Sequence, residues 1–273
     1  MTEPVVLLVD NGSRRAQATL NLRRIAEQIT EATGRTVHPV SLQHADRVSA
    51  EALDGRAANI LTPFLREQLA TGQRQFVILP LFFGVSRALT SFIPEQVALL
   101  REAFGDFHVE VADVLCPLPQ GEPMLVDVLA DNVRRTMSHP QRVVVVDHGS
   151  PIPEVTAVRR WLASALADRF ESGVVVSEAV MERREGSSYD FNGQLLEDVL
   201  QDLSGKVVLS MLFVSPGRHA GEGGDIAEIC LAAESANQDL TVTASPLVGE
   251  HPRLIAVLSQ RLADAIANWS AVA

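Results

Sequence analysis

Two stretches of this chain, VVLLVDNGS at 5–13 and VVVVDHGS at 143–150, are the same apolar strand running into the same Asp-x-Gly-Ser turn. Two further pairs follow in the same order. LPLFFGVSRAL (79–89) lies over LSMLFVSPGRH (209–219), and LPQGEPML (118–125) resembles LVGEHPRL (247–254). Matched blocks in one order mark a tandem duplication, which restricts the fold to one supersecondary unit used twice. The polar, proline-containing break Ser138-His139-Pro140 is the natural boundary. It divides the 273 residues into repeats 1–139 and 140–273, each long enough to bury its own core.

Within each repeat, short β-branched runs alternate with stretches of helical period. Strands are predicted at Val5–Val9, Thr36–Leu42, Phe76–Phe83 and His108–Val114, with helices at Gln17–Thr33, Ala50–Thr71, Ile93–Phe104 and Met124–Met137. The second repeat predicts strands at Arg142–Asp147, Val174–Val180, Lys206–Val214 and Leu240–Ala244. Its helices fall at Val155–Phe170, Gln194–Leu203, Asp225–Ala236 and Pro252–Trp269, with Asp225 and Glu228 spaced for a capping box. Strands that are apolar on both faces and alternate with helices belong to parallel sheets covered on both sides. The fold class is therefore α/β, two tandem duplicated domains, each a parallel sheet flanked by helices.

Composition removes several function classes. A formal net charge of −11 argues against a nucleic-acid binder, which needs a basic face for phosphates. No apolar stretch approaches the ~20 residues of a membrane span. The start, MTEP followed by VVLLVD, has no basic region ahead of its short apolar run, so no secretory signal is expected. Cys116 and Cys230 stand far apart and form no Cys-x-x-Cys pair, which fits a reducing cytoplasm.

In open parallel sheets, ligands bind beyond the carboxyl ends of the strands. In the second repeat His148 directly follows one predicted strand, Glu182 follows the next, and His219 follows a third after Ser-Pro-Gly-Arg. Two imidazoles and a carboxylate at one sheet edge suit a borderline divalent metal such as Fe(II), Co(II), Ni(II) or Zn(II). The matching positions of the first repeat are Asn11, Gln43 and Leu89, all neutral and none a base. The two copies thus differ at all three positions together, as expected of one working and one vestigial site. The glycine-rich PGRHAGEGGD (216–225) lacks Gly-Lys-Ser/Thr and every dinucleotide fingerprint, and Glu222 and Asp225 would repel phosphate; a flap admitting a flat ligand to His219 fits better. No Gly-x-Ser-x-Gly elbow and no His-Glu-x-x-His pair is present. His38, His44, His108, His139 and His251 do not cluster and read as surface or structural.

Asp-His-Gly-Ser at 147–150, Met-Glu at 181–182 and Leu-Phe-Val-Ser-Pro-Gly-Arg-His at 212–219 resemble the class II tetrapyrrole chelatases, the CbiX/SirB-like sirohydrochlorin cobaltochelatases and ferrochelatases. The resemblance spans the chain as two family repeats. It implies that His148 and His219 are the paired active-site histidines, with Glu182 as their acidic partner, acting as catalytic and metal-contacting residues. The first repeat departs from the family pattern at Asn11, Gln43 and Leu89, so the resemblance places activity in the second. It implies no organic cofactor. The divalent metal, Co(II), Fe(II) or Ni(II), is a substrate, and the tetrapyrrole is the partner molecule.

Inserting M(II) into a free-base tetrapyrrole removes two pyrrole protons, and a neutral imidazole accepts a proton at physiological pH. Sirohydrochlorin carries many carboxylates, so local positive charge matters more than the total within a Debye length of ~8 Å. Arg183, Arg184 and Arg218 adjoin the site residues and are the candidate carboxylate clamps, with Arg159 and Arg160 on the following helix. Arg14 and Arg15, beside Asn11, serve only if the vestigial cleft holds ligand. A competing reading is a non-catalytic tetrapyrrole or metal carrier that kept the cleft; a third is a regulatory scaffold. The expected assembly is a monomer whose repeats form an internal pseudo-dimer.

Overall fold

The computed structural model describes residues 3–272, with side-chain surroundings through residue 268. The chain forms two compact units, one running to Pro117 and resuming at Ile255, the other Leu118–Leu254.

The first unit is built on β1 (Val5–Asp10), β2 (Val37–Ser41), β3 (Gln75–Pro80) and β4 (His108–Val111), all parallel, in the order β2-β1-β3-β4. Its helices are α1 (Ala16–Thr33), α2 (Leu61–Ala70) and α3 (Ile93–Phe104). Alternation along β1 sends Leu7 and Val9 into one core with Leu61 and Leu65 of α2 and Ile93 and Val97 of α3. Val6 and Leu8, equally buried, point to the opposite face. The helix predicted over Ala50–Thr71 is confined to α2. Asp54 (φ 55°) and Gly55 (φ 78°) take left-handed backbone, which no continuous helix can contain.

The second unit repeats the plan with β5 (Arg142–Asp147), β6 (Val175–Val180), β7 (Gly205–Met211) and β8 (Leu240–Ala244), in the parallel order β6-β5-β7-β8. Val144, Val146, Leu209 and Met211 join a core with Leu196 and Leu200 of α6 (Leu196–Gln201) and Ile226 of α7 (Asp225–Ala236). The other face carries α4 (Pro123–Thr136) and α5 (Pro153–Ala167). Two contacts seat α4 there. A Cβ at Gly121 would lie 2.0 Å from the Trp161 ring of α5, and Asn132 donates to the Pro246 and Leu247 carbonyls at 3.2 and 3.4 Å.

Repeat and compact unit therefore do not coincide. The sequence pattern sets the repeat boundary near Ser138–Pro140, whereas the compact units divide after Pro117 and after Leu254. The helix that closes the first repeat, α4, is a layer of the second unit. Nearly all of α8 (Arg253–Val272), which closes the second repeat, belongs to the first, where Arg261 donates to the Val114 and Leu115 carbonyls at 3.0 and 3.3 Å. No helix among the described residues is long and apolar enough to cross a membrane.

Candidate active site

The strand order of the second sheet reverses between β5 and β7, because the chain leaves β5 toward β6 and then crosses back to β7. Helices on opposite faces leave a crevice at that point, outside the carboxyl ends of the two strands. His148 is the first residue after β5. The parallel ladder runs on past the strand ends: Met181 N–H donates to the Asp147 carbonyl at 2.9 Å and Glu182 N–H to the His148 carbonyl at 3.2 Å. His148 and Glu182 are thereby laid side by side, with Nε2 of the imidazole 3.1 Å from Oε1 of the carboxylate. Gly149 then turns the chain away at φ 97°; a Cβ there would lie 2.0 Å from the Glu182 carbonyl oxygen. Only glycine permits both.

His219 arrives from the loop after β7, its ring centroid 4.4 Å from that of His148 at an interplanar angle of 64°. Its Nδ1 lies 2.6 Å from Oδ2 of Asp225, the first residue of α7, and Nε of Arg218 lies 3.5 Å from the same oxygen. The His148 and Glu182 side chains are 46% and 60% exposed, open to solvent at the crevice. The structure thus brings together all three residues singled out in the sequence. No group of three or more His, Cys, Asp or Glu side chains among the described residues is poised to hold a metal ion. Both ring nitrogens of His148 already face oxygen, Nδ1 lying 3.1 Å from the Gly149 carbonyl.

The arginines divide into different roles. Arg159 is fully buried, 2.6 Å from Asp147 and 3.0 Å from Glu178, and it also donates to the Asn192 carbonyl. It is a strut beneath the site, which corrects its candidacy as a ligand clamp. Burial raises the Asp147 carboxyl above its ordinary range, and Arg159 pulls it back. Asn192 completes the support: its Oδ1 accepts from Ser150 N–H and Thr156 Oγ1, and its Nδ2 donates to the Ser150 and Tyr189 carbonyls. Arg160 is taken up by Glu178 and the Phe191 carbonyl. Arg183 pairs with Asp190 at 3.2 Å, and Arg184 lies 5.8 Å over the Tyr189 ring, both toward the turn at 187–192. Arg218 is 75% exposed beside His219.

The glycine-rich segment is a tightly closed loop where a flap was expected. Gly221 N–H donates to the Gly217 carbonyl and Gly224 N–H to Gly221, while a Cβ at Gly224 would lie 2.5 Å from the Arg218 carbonyl oxygen. The expected capping box is also replaced. The N-cap of α7 is Gly224 with no side-chain cap, and the Asp225 carboxylate is committed to His219. Sequence reasoning missed that role, because a carboxylate in the first turn of a helix already has a local explanation.

The first repeat keeps the scaffold and changes the chemistry. Leu42 N–H donates to the Asp10 carbonyl and Gln43 N–H to Asn11, and a Cβ at Gly12 would lie 1.9 Å from the Gln43 carbonyl oxygen. Asn11 and Gln43 thus stand where His148 and Glu182 stand. The third match needs correction. Leu81 donates to Val9 as Leu212 does to Val146, and Phe82 accepts from Leu115 as Phe213 does from Val248. Carried forward, this register sets Ala88, not Leu89, against His219; Leu89 packs on the first core. Ala88 lines a ≈ 390 Å³ cleft with Asn11, Gln43 and Arg87.

The match of Asp10 with Asp147, carried without a gap into the following helix, sets Leu22, buried in α1, at the position of Arg159. Asp10, the counterpart of Asp147, consequently has a buried Oδ1 with no partner, and burial pushes its carboxyl from an ordinary 3.8 up to about 6. An acid that holds its proton more tightly when folded loses folded-state stability as pH rises from about 4 to about 6. A shift of that size corresponds to ~3 kcal/mol at neutral pH. Asp10→Asn is expected to recover up to that amount at pH 7 and nothing below about pH 4, as read from urea unfolding at the two pH values. A gain that does not vary with pH would overturn this account.

Fold and site together define a chelatase-type α/β protein of two parallel repeats with its histidine pair in the second. The CbiX family model matches residues 5–136 and 142–265. The chain belongs to the CbiX family. Among solved structures, SirB from Bacillus subtilis with Fe3+ superposes with a TM-score of 0.68 at 14% identity, over 99% of this chain and 98% of that one. SirB from Bacillus subtilis subspecies spizizenii in complex with cobalt gives 0.68 at 16% identity, over 98% and 97%. CbiX, described as the terminal enzyme for biosynthesis of siroheme in denitrifying bacteria, gives 0.61 at 18% identity, over 96% and 99%. No curated protein matches by sequence.

Proposed function

We propose that this chain is a sirohydrochlorin chelatase that inserts Co(II) or Fe(II) into the tetrapyrrole from a site in its second repeat. The observation that carries the reading is the pairing of His148 and His219, ring centroids 4.4 Å apart, at the β5/β7 crevice, with Glu182 3.1 Å from His148. Insertion exchanges two pyrrole N–H protons for one divalent ion, so the site must accept protons and handle a metal without holding it tightly. Imidazole nitrogen accepts a proton near neutral pH. Glu182 supplies an anionic oxygen that replaces water on the incoming ion. Such a loose set suits a metal that leaves with the product, whereas a resident metal is commonly held by three or four protein ligands. Arg218 meets a peripheral carboxylate of the ring. Membership of the CbiX family and the iron- and cobalt-containing SirB structures support the same substrate class.

The test is anaerobic absorbance of sirohydrochlorin mixed with Co(II) or Fe(II), with and without the protein. A metallated spectrum forming well above the uncatalysed rate, at many turnovers per chain, is the expected result. A stoichiometric spectral shift without turnover would instead assign a tetrapyrrole or metal carrier.

A further inference from the structure

The two histidines of the pair are held by opposite nitrogens. His148 has Nε2 against Glu182 and Nδ1 near the Gly149 carbonyl. His219 is held only through Nδ1, at 2.6 Å from Asp225, and its Nε2 has no hydrogen-bond partner among the described residues. Resting on the reading of this pair as the chelatase site, we infer that Asp225 is a positioning residue that locks His219 in the tautomer with the lone pair on Nε2. The ring can then take a pyrrole proton without first rotating or exchanging its own.

The argument begins with the donor inventory. A carboxylate oxygen accepts, so the nitrogen facing it carries the hydrogen, and in a neutral imidazole the other nitrogen is then the bare one. A distance of 2.6 Å is short even for a charge-assisted bond, and it holds ring plane and tautomer together. The main chain builds the pair as a unit. Asp225 N–H donates to the Arg218 carbonyl at 3.2 Å and Ile226 N–H to the His219 carbonyl at 3.1 Å, which returns the start of α7 to the histidine. Gly224 allows that approach, since a Cβ there would lie 2.9 Å from the His219 carbonyl oxygen. The N-cap of α7 takes no side-chain hydrogen bond, and Oδ2 of Asp225 faces the imidazole at 2.6 Å, with Arg218 Nε farther off at 3.5 Å. His148, its nitrogens both facing oxygen, is left the task of steadying Glu182.

The experiment is Asp225→Asn, which keeps size and shape and presents an amide in place of an acceptor-only group. With 15N-labelled histidine, long-range 1H–15N spectra report the tautomer of each ring, and loss of one signal set in His219→Ala assigns that ring. The wild type is expected to show His219 protonated on Nδ1 and bare on Nε2, and Asp225→Asn a mixture or the reverse. In the insertion assay kcat is expected to fall by ~10²–10⁴, the range of a misdirected general base, with KM for the tetrapyrrole changed by less than about threefold. Asp225→Glu, which restores the acceptor, is expected to regain part of kcat. An unchanged tautomer, or a changed tautomer with unchanged kcat, overturns the inference. Full activity in His219→Ala would instead remove the reading of this histidine pair as the insertion site, and absence of turnover in the wild type would remove the chelatase reading itself.

Discussion

Arg159→Leu is expected to destabilise the second unit by ~3–5 kcal/mol, the cost of stranding the buried Asp147 carboxylate by removing its guanidinium partner. Against a typical total of ~5–15 kcal/mol, that is enough to unfold a sizeable fraction of the protein on mild heating. The guanidinium has no exposed surface and bridges Asp147 at 2.6 Å, Glu178 at 3.0 Å and the Asn192 carbonyl. Leucine would leave Asp147 buried without its guanidinium, as Asp10 is in the first repeat, where its Oδ1 has no partner. The damage passes to the site by a short path. Asp147 Oδ1 also accepts from Gly149 N–H at 3.1 Å, and Asn192 holds both main-chain groups of Ser150, so the segment bearing His148 loses its support. Urea unfolding read by near-UV circular dichroism measures the loss. Arg160→Ala is the comparison. That side chain is half exposed and is expected to cost less than about 1 kcal/mol. Pairing Arg159→Leu with Asp147→Asn is expected to recover part of the deficit, because one buried charge then disappears with its partner. A loss below about 1 kcal/mol in Arg159→Leu would show that the charge network does not hold the strand end.

The importance of Arg159 could have been read from the sequence, and the reason it was not is instructive. Val155, Leu162 and Ala163 lie four before, three after and four after it, so helical period sets Arg159 on the apolar face of α5. An arginine there needs an acid, and Asp147 at the end of the preceding strand is the nearest. Periodicity of the apolar runs located every strand and most helix ends, with β5, β8, α3 and α7 at their predicted bounds. It could not fix register inside continuous apolar strands, because LPLFF and LSMLF match nearly as well one residue apart; only the hydrogen bonds moved the partner of His219 from Leu89 to Ala88. The transfer of α4 to the second unit was equally invisible. It depends on which sheet a helix finds, and no local pattern encodes that. His148, Glu182 and His219 were legible because chemistry-bearing side chains stood at three strand ends. Asp225 was not, because its partnership with His219 depends on the closure of the 217–224 loop.

The comparison between repeats supplies the sharpest test of where the reaction takes place. His148→Ala and His219→Ala are each expected to lower kcat/KM for metal insertion by ~10²–10⁴, the loss typical of a group removed from an acid–base site. Asn11→Ala and Gln43→Ala, at the equivalent strand ends of the first repeat, are expected to stay within about twofold of wild type. Asn11, Gln43 and His148 are exposed just past their strands, and His219, 30% exposed, lies on the loop after β7, so each truncation leaves the core and the main-chain ladder intact. Equal thermal stability across the set would confirm that only side-chain chemistry has changed. The two histidine variants should nevertheless differ. His148→Ala frees Glu182 from its side-chain partner and should weaken use of the metal, visible as a raised KM for Co(II). His219→Ala removes the ring whose Nε2 is unengaged, so its loss should fall on kcat at saturating metal and tetrapyrrole. Losses in Asn11→Ala and Gln43→Ala as large as those in the histidine variants would move the reaction to the first repeat, where amides can bind substrate but cannot take its protons.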